Sequence, residues 1–338
     1  MSAKSALLKA AALSGLAGLA RRATAGQLRI LCYHGLWLSP DAPFGNCLFM
    51  TPGLFDQRMR QLRQSGVPVL GLGEAVARLA ADDLPPAATV ITIDDGWAST
   101  HSHMLPILER YALRATLYAA TWYSGRDLPV INVAVDYLLA TAGRDRTGRA
   151  REIRRIEALP EADRLPALRA FGRSLGVDEA WLDRRQFHLM TPAELADAYA
   201  RGLDIQLHTH RHIDVAANLG LLDAEIRENR AFLADAGIRG ACHFCYPSGT
   251  FHALAPDLLA QSGVESATLV DEGLNASGAD RYALRRFIDG PAVSSAEFHA
   301  YLSGSLEYLA RARHAANAVR LEVPRRAVAA STMLICAV

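Results

Sequence analysis

An α/β barrel carrying a helical insertion is the fold this chain of 338 residues predicts, and three observations lead there. Strand-like and helical segments alternate along most of the length. Several strand-like runs are apolar throughout rather than at every second residue. Between about residues 126 and 190 the alternation gives way to helix-forming sequence alone. Parallel strands covered on both faces lose the in-out alternation of a half-exposed sheet, so unbroken apolar runs indicate a parallel sheet. Eight such runs favour closure into a barrel over an open sheet.

The runs fall at 28–33 (LRILCY), 67–72 (VPVLGL), 89–93 (TVITI), 115–120 (ATLYAA), 203–207 (LDIQL), 242–246 (CHFCY), 266–270 (SATLV) and 283–288 (ALRRFI). Helices sit between them. Thr51-Pro52 starts one through a cap and a first-turn proline, with Leu54, Phe55, Met59 and Leu62 on its buried side. Thr191-Pro192 starts another in the same way, ending before Gly202. Residues 221–237 place Ile226, Phe232 and Leu233 on a packing face and stop at Gly237. The segment 126–190, rich in Arg, Ala and Leu, reads as a helical insertion, either a lid or wall over the active face or a solvated decoration. These boundaries divide the chain into an N-terminal segment 1–26, a main domain 27–304 and a C-terminal extension 305–338.

Composition is that of an ordinary globular protein, with 51% hydrophobic and 21% charged residues. A net charge of +1 argues against nucleic acid as an obligate partner, since phosphate binding normally leaves a basic excess. The five cysteines are an odd number, and Cys32, Cys242 and Cys245 lie in strand-like runs, which predicts buried free thiols and leans towards a reducing compartment. Residues 1–26 imitate a secretory signal through Lys4, Lys9 and the apolar stretch 10–20, but Arg21 and Arg22 fall where a cleavage site disfavours charge. An amphipathic helix on the protein or on a membrane surface is the favoured reading, with a cytoplasmic or membrane-peripheral location. A true signal would instead make the protein periplasmic or secreted. No run reaches the roughly 18 to 20 apolar residues of a spanning helix.

Ligands of parallel α/β folds bind at the carboxyl ends of the strands. The run 89–93 leads directly to Asp94 and Asp95, two carboxylates whose charges repel unless a positive partner lies between or beside them, and Gly96 allows the backbone to turn there. The run 203–207 leads into HTHRH, which sets His208, His210 and His212 at another strand end. Imidazoles spaced H-x-x-x-H, together with a carboxylate from a different strand, make a three-ligand cation site with an open position for water. Taken singly, the aspartates would also fit a turn and the histidines a solvated loop; their placement at two strand ends is what points to a metal.

Taken in order, TIDDGW, HMLPIL, RATLYAATWY, LDIQLHTHRH, FCYPSG and YALRRF resemble the NodB-type polysaccharide deacetylases, a carbohydrate esterase family, from about residue 28 to 303. The resemblance implies a deformed (β/α) barrel and a metal-dependent hydrolase that removes acetyl groups from an N-acetylated or O-acetylated polysaccharide or glycan precursor in exopolysaccharide or cell-envelope metabolism. It implies one divalent ion, most commonly Zn2+, on Asp95, His208 and His212, with Asp94 as general base and His210 outside the ligand set. The backbone N–H of Ser248 would face the oxyanion. An acetylated glycan is the implied partner, with peripheral membrane contact through residues 1–26.

Two departures matter. The family's arginine before the proline motif is absent, and Arg286 is the substitute expected to orient Asp94, with Arg285 as a rival. The late Leu-x-x-His motif that supplies a proton donor has no counterpart, and His34 in CYHG is the candidate replacement, with substrate binding or strand capping also open. Trp97, Trp122 and Tyr246 are candidates for stacking on sugar rings. A non-catalytic carbohydrate-binding or assembly protein on the same fold is the alternative.

Overall fold

The computed structural model describes residues 16–307 except 42 and 45–47. The predicted site residues all lie within this range. Most of the N-terminal segment, the C-terminal extension from residue 308, Cys47 and Cys336 lie outside it.

Seven parallel strands form the sheet: β1 (Arg29–Tyr33), β4 (Thr89–Asp95), β5 (Thr116–Ala119), β6 (Asp204–Leu207), β7 (His243–Cys245), β8 (Ser266–Thr268) and β9 (Phe287–Ile288). Their order is β8-β7-β6-β5-β4-β1-β9. The two edges meet through one stretch of chain. Leu284 pairs with Thr268 of β8, and Phe287, three residues on, pairs with Leu31 of β1. The sheet therefore curls into a deformed barrel. A separate parallel pair, β2 (Gly35–Leu36) and β3 (Phe49–Met50), follows β1.

The predicted strand at 67–72 is a correction. Only Val69 forms a bridge, to Thr89, flanked by Leu70 N to Thr89 O at 2.9 Å and Thr89 N to Pro68 O at 2.9 Å. Pro68 has no N–H to donate, and at Leu72 the chain already enters α3 (Leu72–Ala80). The run's apolar residues divide instead: Val67 and Val69 pack into the core under the outer helices, and Leu70 and Leu72 into the cluster at the barrel floor.

Helices form where their signals stand. Thr51 caps α2 (Pro52–Gln64), accepting from Leu54 N at 3.2 Å, and Phe55, Met59 and Leu62 are buried. Thr191 starts α9 (Pro192–Ala200) with a reciprocal bond pair to Glu194. The insertion contains α5 (Ile131–Thr141), α6 (Arg149–Glu157), α7 (Glu161–Ser174) and α8 (Ala180–Asp183). It builds its own apolar core from Ile131, Leu138, Trp181 and Phe187, joined by Trp37, Phe49 and Trp97 from the main domain. After β6 comes α10 (Leu222–Asp235), and after β7 comes α11 (Ala255–Gln261); α1 (Leu16–Ala23), α4 (Leu105–Arg110) and α12 (Ser295–Leu302) complete the α-helices among the described residues. None of these helices is long and apolar enough to cross a membrane.

Strand parity decides what the barrel encloses. Leu31, Tyr33, Ile91, Ile93, Leu117, Ile205 and Phe244 join the large core under the outer helices. Ile30, Val90, Tyr118 and Cys245 point the other way, to a cluster closed by Leu72, Ala75 and Leu79 of α3. The same parity sends Cys32, Thr92, Asp94 and His208 inward, so the apolar floor of the barrel carries a polar layer above it.

Candidate active site

The polar layer is organised by Arg286. It is fully buried, and its Nη1 donates to Asp94 Oδ1 and its Nη2 to Asp94 Oδ2, each at 2.7 Å. Its Nε donates to the carbonyl of Leu269 at 2.7 Å, and Nη1 also reaches Thr92 Oγ1 at 3.2 Å. Arg286 is thus the residue that orients Asp94; Arg285 is exposed, with its Nη1 beside Gly273. Burial opposes ionisation of Asp94, yet the adjoining guanidinium outweighs it and holds the carboxyl down at about 2.

Asp95 reaches the same space by breaking strand geometry. It stands at φ 71° and is followed by Gly96 at φ 92°. Two successive left-handed residues turn the chain, so that Asp95 leaves the outward face that parity would give it. Its Oδ1 lies 3.2 Å from His208 Nε2 and 3.4 Å from His212 Nε2. Trp97 Nε1 donates to the other oxygen, Oδ2, at 2.8 Å. Burial again disfavours the charge, but the imidazoles of His208 and His212 override it and hold Asp95 well below the usual carboxylate range.

His208 directly follows β6 and is locked on three sides. Its backbone N–H donates to Asn229 Oδ1 of α10 at 3.0 Å, and Asn229 Nδ2 in turn donates to Ala119 O at 3.0 Å and Thr121 Oγ1 at 2.8 Å. Its Nδ1 lies 2.8 Å from the carbonyl of Cys245. A carbonyl can only accept, so Nδ1 carries the proton and Nε2 is the atom turned towards Asp95. The chain after His208 bends through Thr209 at φ 59° and His212 at φ 55°, with Thr209 Oγ1 accepting from Ile213 N at 3.2 Å. This bend brings the His212 ring to 4.9 Å from the His208 ring at 78°.

The donor set fits a divalent cation. One atom each from Asp95, His208 and His212 lies within 4.8 Å of the others. A neutral His208 would set a nitrogen lone pair against a carboxylate oxygen across 3.2 Å, which is repulsive unless a proton or a cation lies between them. Burial lowers the proton affinity of His208, but the carboxylates of Asp95 and Asp94 raise it more, so the net direction is upward. The site attracts positive charge, and the bond from His208 Nδ1 to a carbonyl is the outer support that metal-bound imidazoles use.

The remaining predicted residues divide. His34 stands at the end of β1 with Nε2 3.9 Å from Asp94 Oδ2, and its buried Nδ1 has no hydrogen-bond partner. Ser248 sits after β7 at φ 52°, in a turn tied by Gly249 N to Tyr246 O at 2.9 Å and Thr250 N to Pro247 O at 3.0 Å. Gly249 is required there, since at φ 69° a Cβ would lie 2.2 Å from Val270 Cγ2. His210 turns away, its Nδ1 2.8 Å from Thr121 Oγ1, as its place outside the ligand set predicts.

The stacking expectation for Tyr246 and Trp97 is corrected. Tyr246 is fully buried between Phe244 and Phe251, and Trp97 is 2% exposed. Trp97 lies edge-on to Phe49 at 5.1 Å, with the insertion against it: Leu189 bridges to Trp97, and Met190 N donates to Gly96 O at 2.7 Å. Neither ring has a face free for a sugar. Trp122 is half-buried and has Arg126 over its ring at 3.9 Å. Sequence reasoning missed Asn229 and the thiols of Cys32 and Cys245, which meet Asp94 inside the barrel. The parity of β1 and β7, read against that of β4, was the signal that could have found the thiols.

Comparison with known proteins gives the family and the fold. The family model described as polysaccharide deacetylase matches residues 81–267, more than half of the chain. The Bacillus subtilis (strain 168) protein YxkH, whose assignment as a polysaccharide deacetylase is itself provisional, is 20% identical over 281 residues, covering 82% of this chain and 76% of its own. Among solved structures, the Streptococcus pyogenes deacetylase PplD in complex with acetate superposes with a TM-score of 0.59 at 17% identity, covering 82% of this chain and 98% of its own. IcaB from Ammonifex degensii gives a TM-score of 0.56 at 20% identity, with 82% and 97% covered. The solved structures share the fold, and the match across residues 81–267 establishes that the chain belongs to the polysaccharide deacetylase family.

Proposed function

We propose that this hydrolase is a metal-dependent deacetylase that removes acetyl groups from an N-acetylated or O-acetylated polysaccharide or glycan precursor, with a place in exopolysaccharide or cell-envelope metabolism. The observation that carries the proposal is the convergence of His208 and His212 on one oxygen of Asp95, at 3.2 and 3.4 Å. Asp95, His208 and His212 would hold the ion, for which zinc suits a mixed nitrogen and oxygen set.

Asp94 serves as the base that receives the proton of the attacking water, with Arg286 keeping its carboxylate ionised and fixed in plane. A divalent cation, when bound, would acidify that water and polarise the acetyl carbonyl. The backbone N–H of Ser248, in the turn after β7, would stabilise the developing oxyanion. His34, beside Asp94 and with one ring nitrogen unpartnered, supplies the proton to the leaving amine or alkoxide in place of the missing late histidine.

Acetate release from an N-acetylglucosamine oligomer tests this proposal. The wild type should release acetate, chelation should abolish release, zinc should restore it, and Asp94→Asn should lower kcat at least a hundredfold. No release under any metal loading would favour the carbohydrate-binding alternative.

A further inference from the structure

Within the barrel, Asp94 Oδ2 is approached by two thiols. Cys32 Sγ lies 3.6 Å from it and Cys245 Sγ 3.5 Å. They arrive from β1 and β7, which stand on opposite sides of β4 in the strand order. Each thiol has a second acceptor nearby, Tyr33 O at 3.9 Å and Tyr246 O at 3.7 Å, and in both cases the carboxylate is the closer one. Arg286 Nη2 donates to Cys245 Sγ at 3.1 Å as well as to Asp94 Oδ2 at 2.7 Å, so Arg286, Cys245 and Asp94 close a triangle. The carbonyl of the same Cys245 holds Nδ1 of His208.

We propose that Cys32 and Cys245 are positioning residues of the deacetylation site, two S–H donors that hold Asp94 Oδ2 in place beside Arg286. The inference rests on the reading of Asp94 as the proton acceptor. A buried carboxylate needs donors for its remaining lone pairs once the guanidinium fork has filled one edge. Both cysteines have no exposed surface. Burial pushes both thiols well above their usual range, so they stay protonated and do not compete with Asp94 for Arg286. A serine would donate more strongly but fill less space. A valine would fill the space and donate nothing.

That contrast separates positioning from packing. Cys32 and Cys245 are each changed to Ser and to Val, and kcat, KM, metal content and thermal midpoint are measured with the acetylated glucosamine oligomer. Each serine variant should retain at least about a third of wild-type kcat, whereas each valine variant should lose about tenfold in kcat with KM and metal content unchanged. If a valine variant does not fold, the matching alanine variant carries the same expectation. Valine variants as active as wild type, or serine and valine variants equally impaired, would overturn the inference and leave the deacetylase reading standing. A wild-type protein that releases no acetate would overturn both.

Discussion

Arg286 grips Asp94 by both carboxylate oxygens at 2.7 Å, across 192 positions of sequence. Asp94 and Arg286 are 3% and 0% exposed, so neither group has water to fall back on. Breaking a buried pair from one side leaves a lone charge, which costs roughly 3–5 kcal/mol. Arg286→Ala should therefore destabilise the fold by that order, read from denaturant unfolding. Arg286→Lys keeps a positive charge but loses the planar fork, and should fold while losing about tenfold or more in kcat.

Acid should expose the same pair. The folded-state value of Asp94, about 2, lies below its ordinary 3.8, so its contribution is complete above about pH 4 and is lost as pH falls through 2. The shift corresponds to about 2 kcal/mol. Thermal midpoints measured between pH 5 and 2 should fall more steeply for wild type than for Asp94→Asn. Parallel slopes would show that Asp94 carries no such linkage.

Trp97 should act on the metal rather than on the sugar. Its Nε1 holds Asp95 Oδ2 at 2.8 Å, and an outer-shell donor of this kind typically contributes 10- to 100-fold in metal affinity. Trp97→Phe keeps the contact with Phe49 and removes the donor. Calorimetric zinc titration should show a weakened Kd within about that range, with the KM for glycan nearly unchanged at saturating metal.

His34→Gln is expected to lower kcat by about a hundredfold while leaving KM and metal content near wild type, as loss of a proton donor would. A substrate with a better leaving group, such as an activated acetyl ester, should lose much less. Equal losses on both substrates would point to a structural role at the end of β1.

Much of this was legible in the sequence because barrel sites collect at strand ends. Unbroken apolar runs located the strands, and the residues that follow 89–93 and 203–207 gave the carboxylates and imidazoles. Other features depended on partners remote in sequence. The run 67–72 has strand-like residues but also Pro68, and it keeps only the Val69 bridge to Thr89 while Leu70 and Leu72 pack at the barrel floor. Trp97 and Tyr246 look like sugar platforms beside their motifs, yet the insertion and Phe251 cover them, and burial by a distant segment leaves no local mark. The thiols of Cys32 and Cys245 converge on Asp94 through the closure of the barrel, which no single strand encodes.

The most direct measurement is the metal stoichiometry of protein purified without added metal, compared between wild type, Asp95→Ala, His208→Ala and His212→Ala. The wild type should carry one divalent ion per chain and each variant almost none, with thermal unfolding confirming that at least one variant is folded. An ion retained at full occupancy in a folded Asp95→Ala or His212→Ala protein would contradict the shared site on which the deacetylase proposal stands.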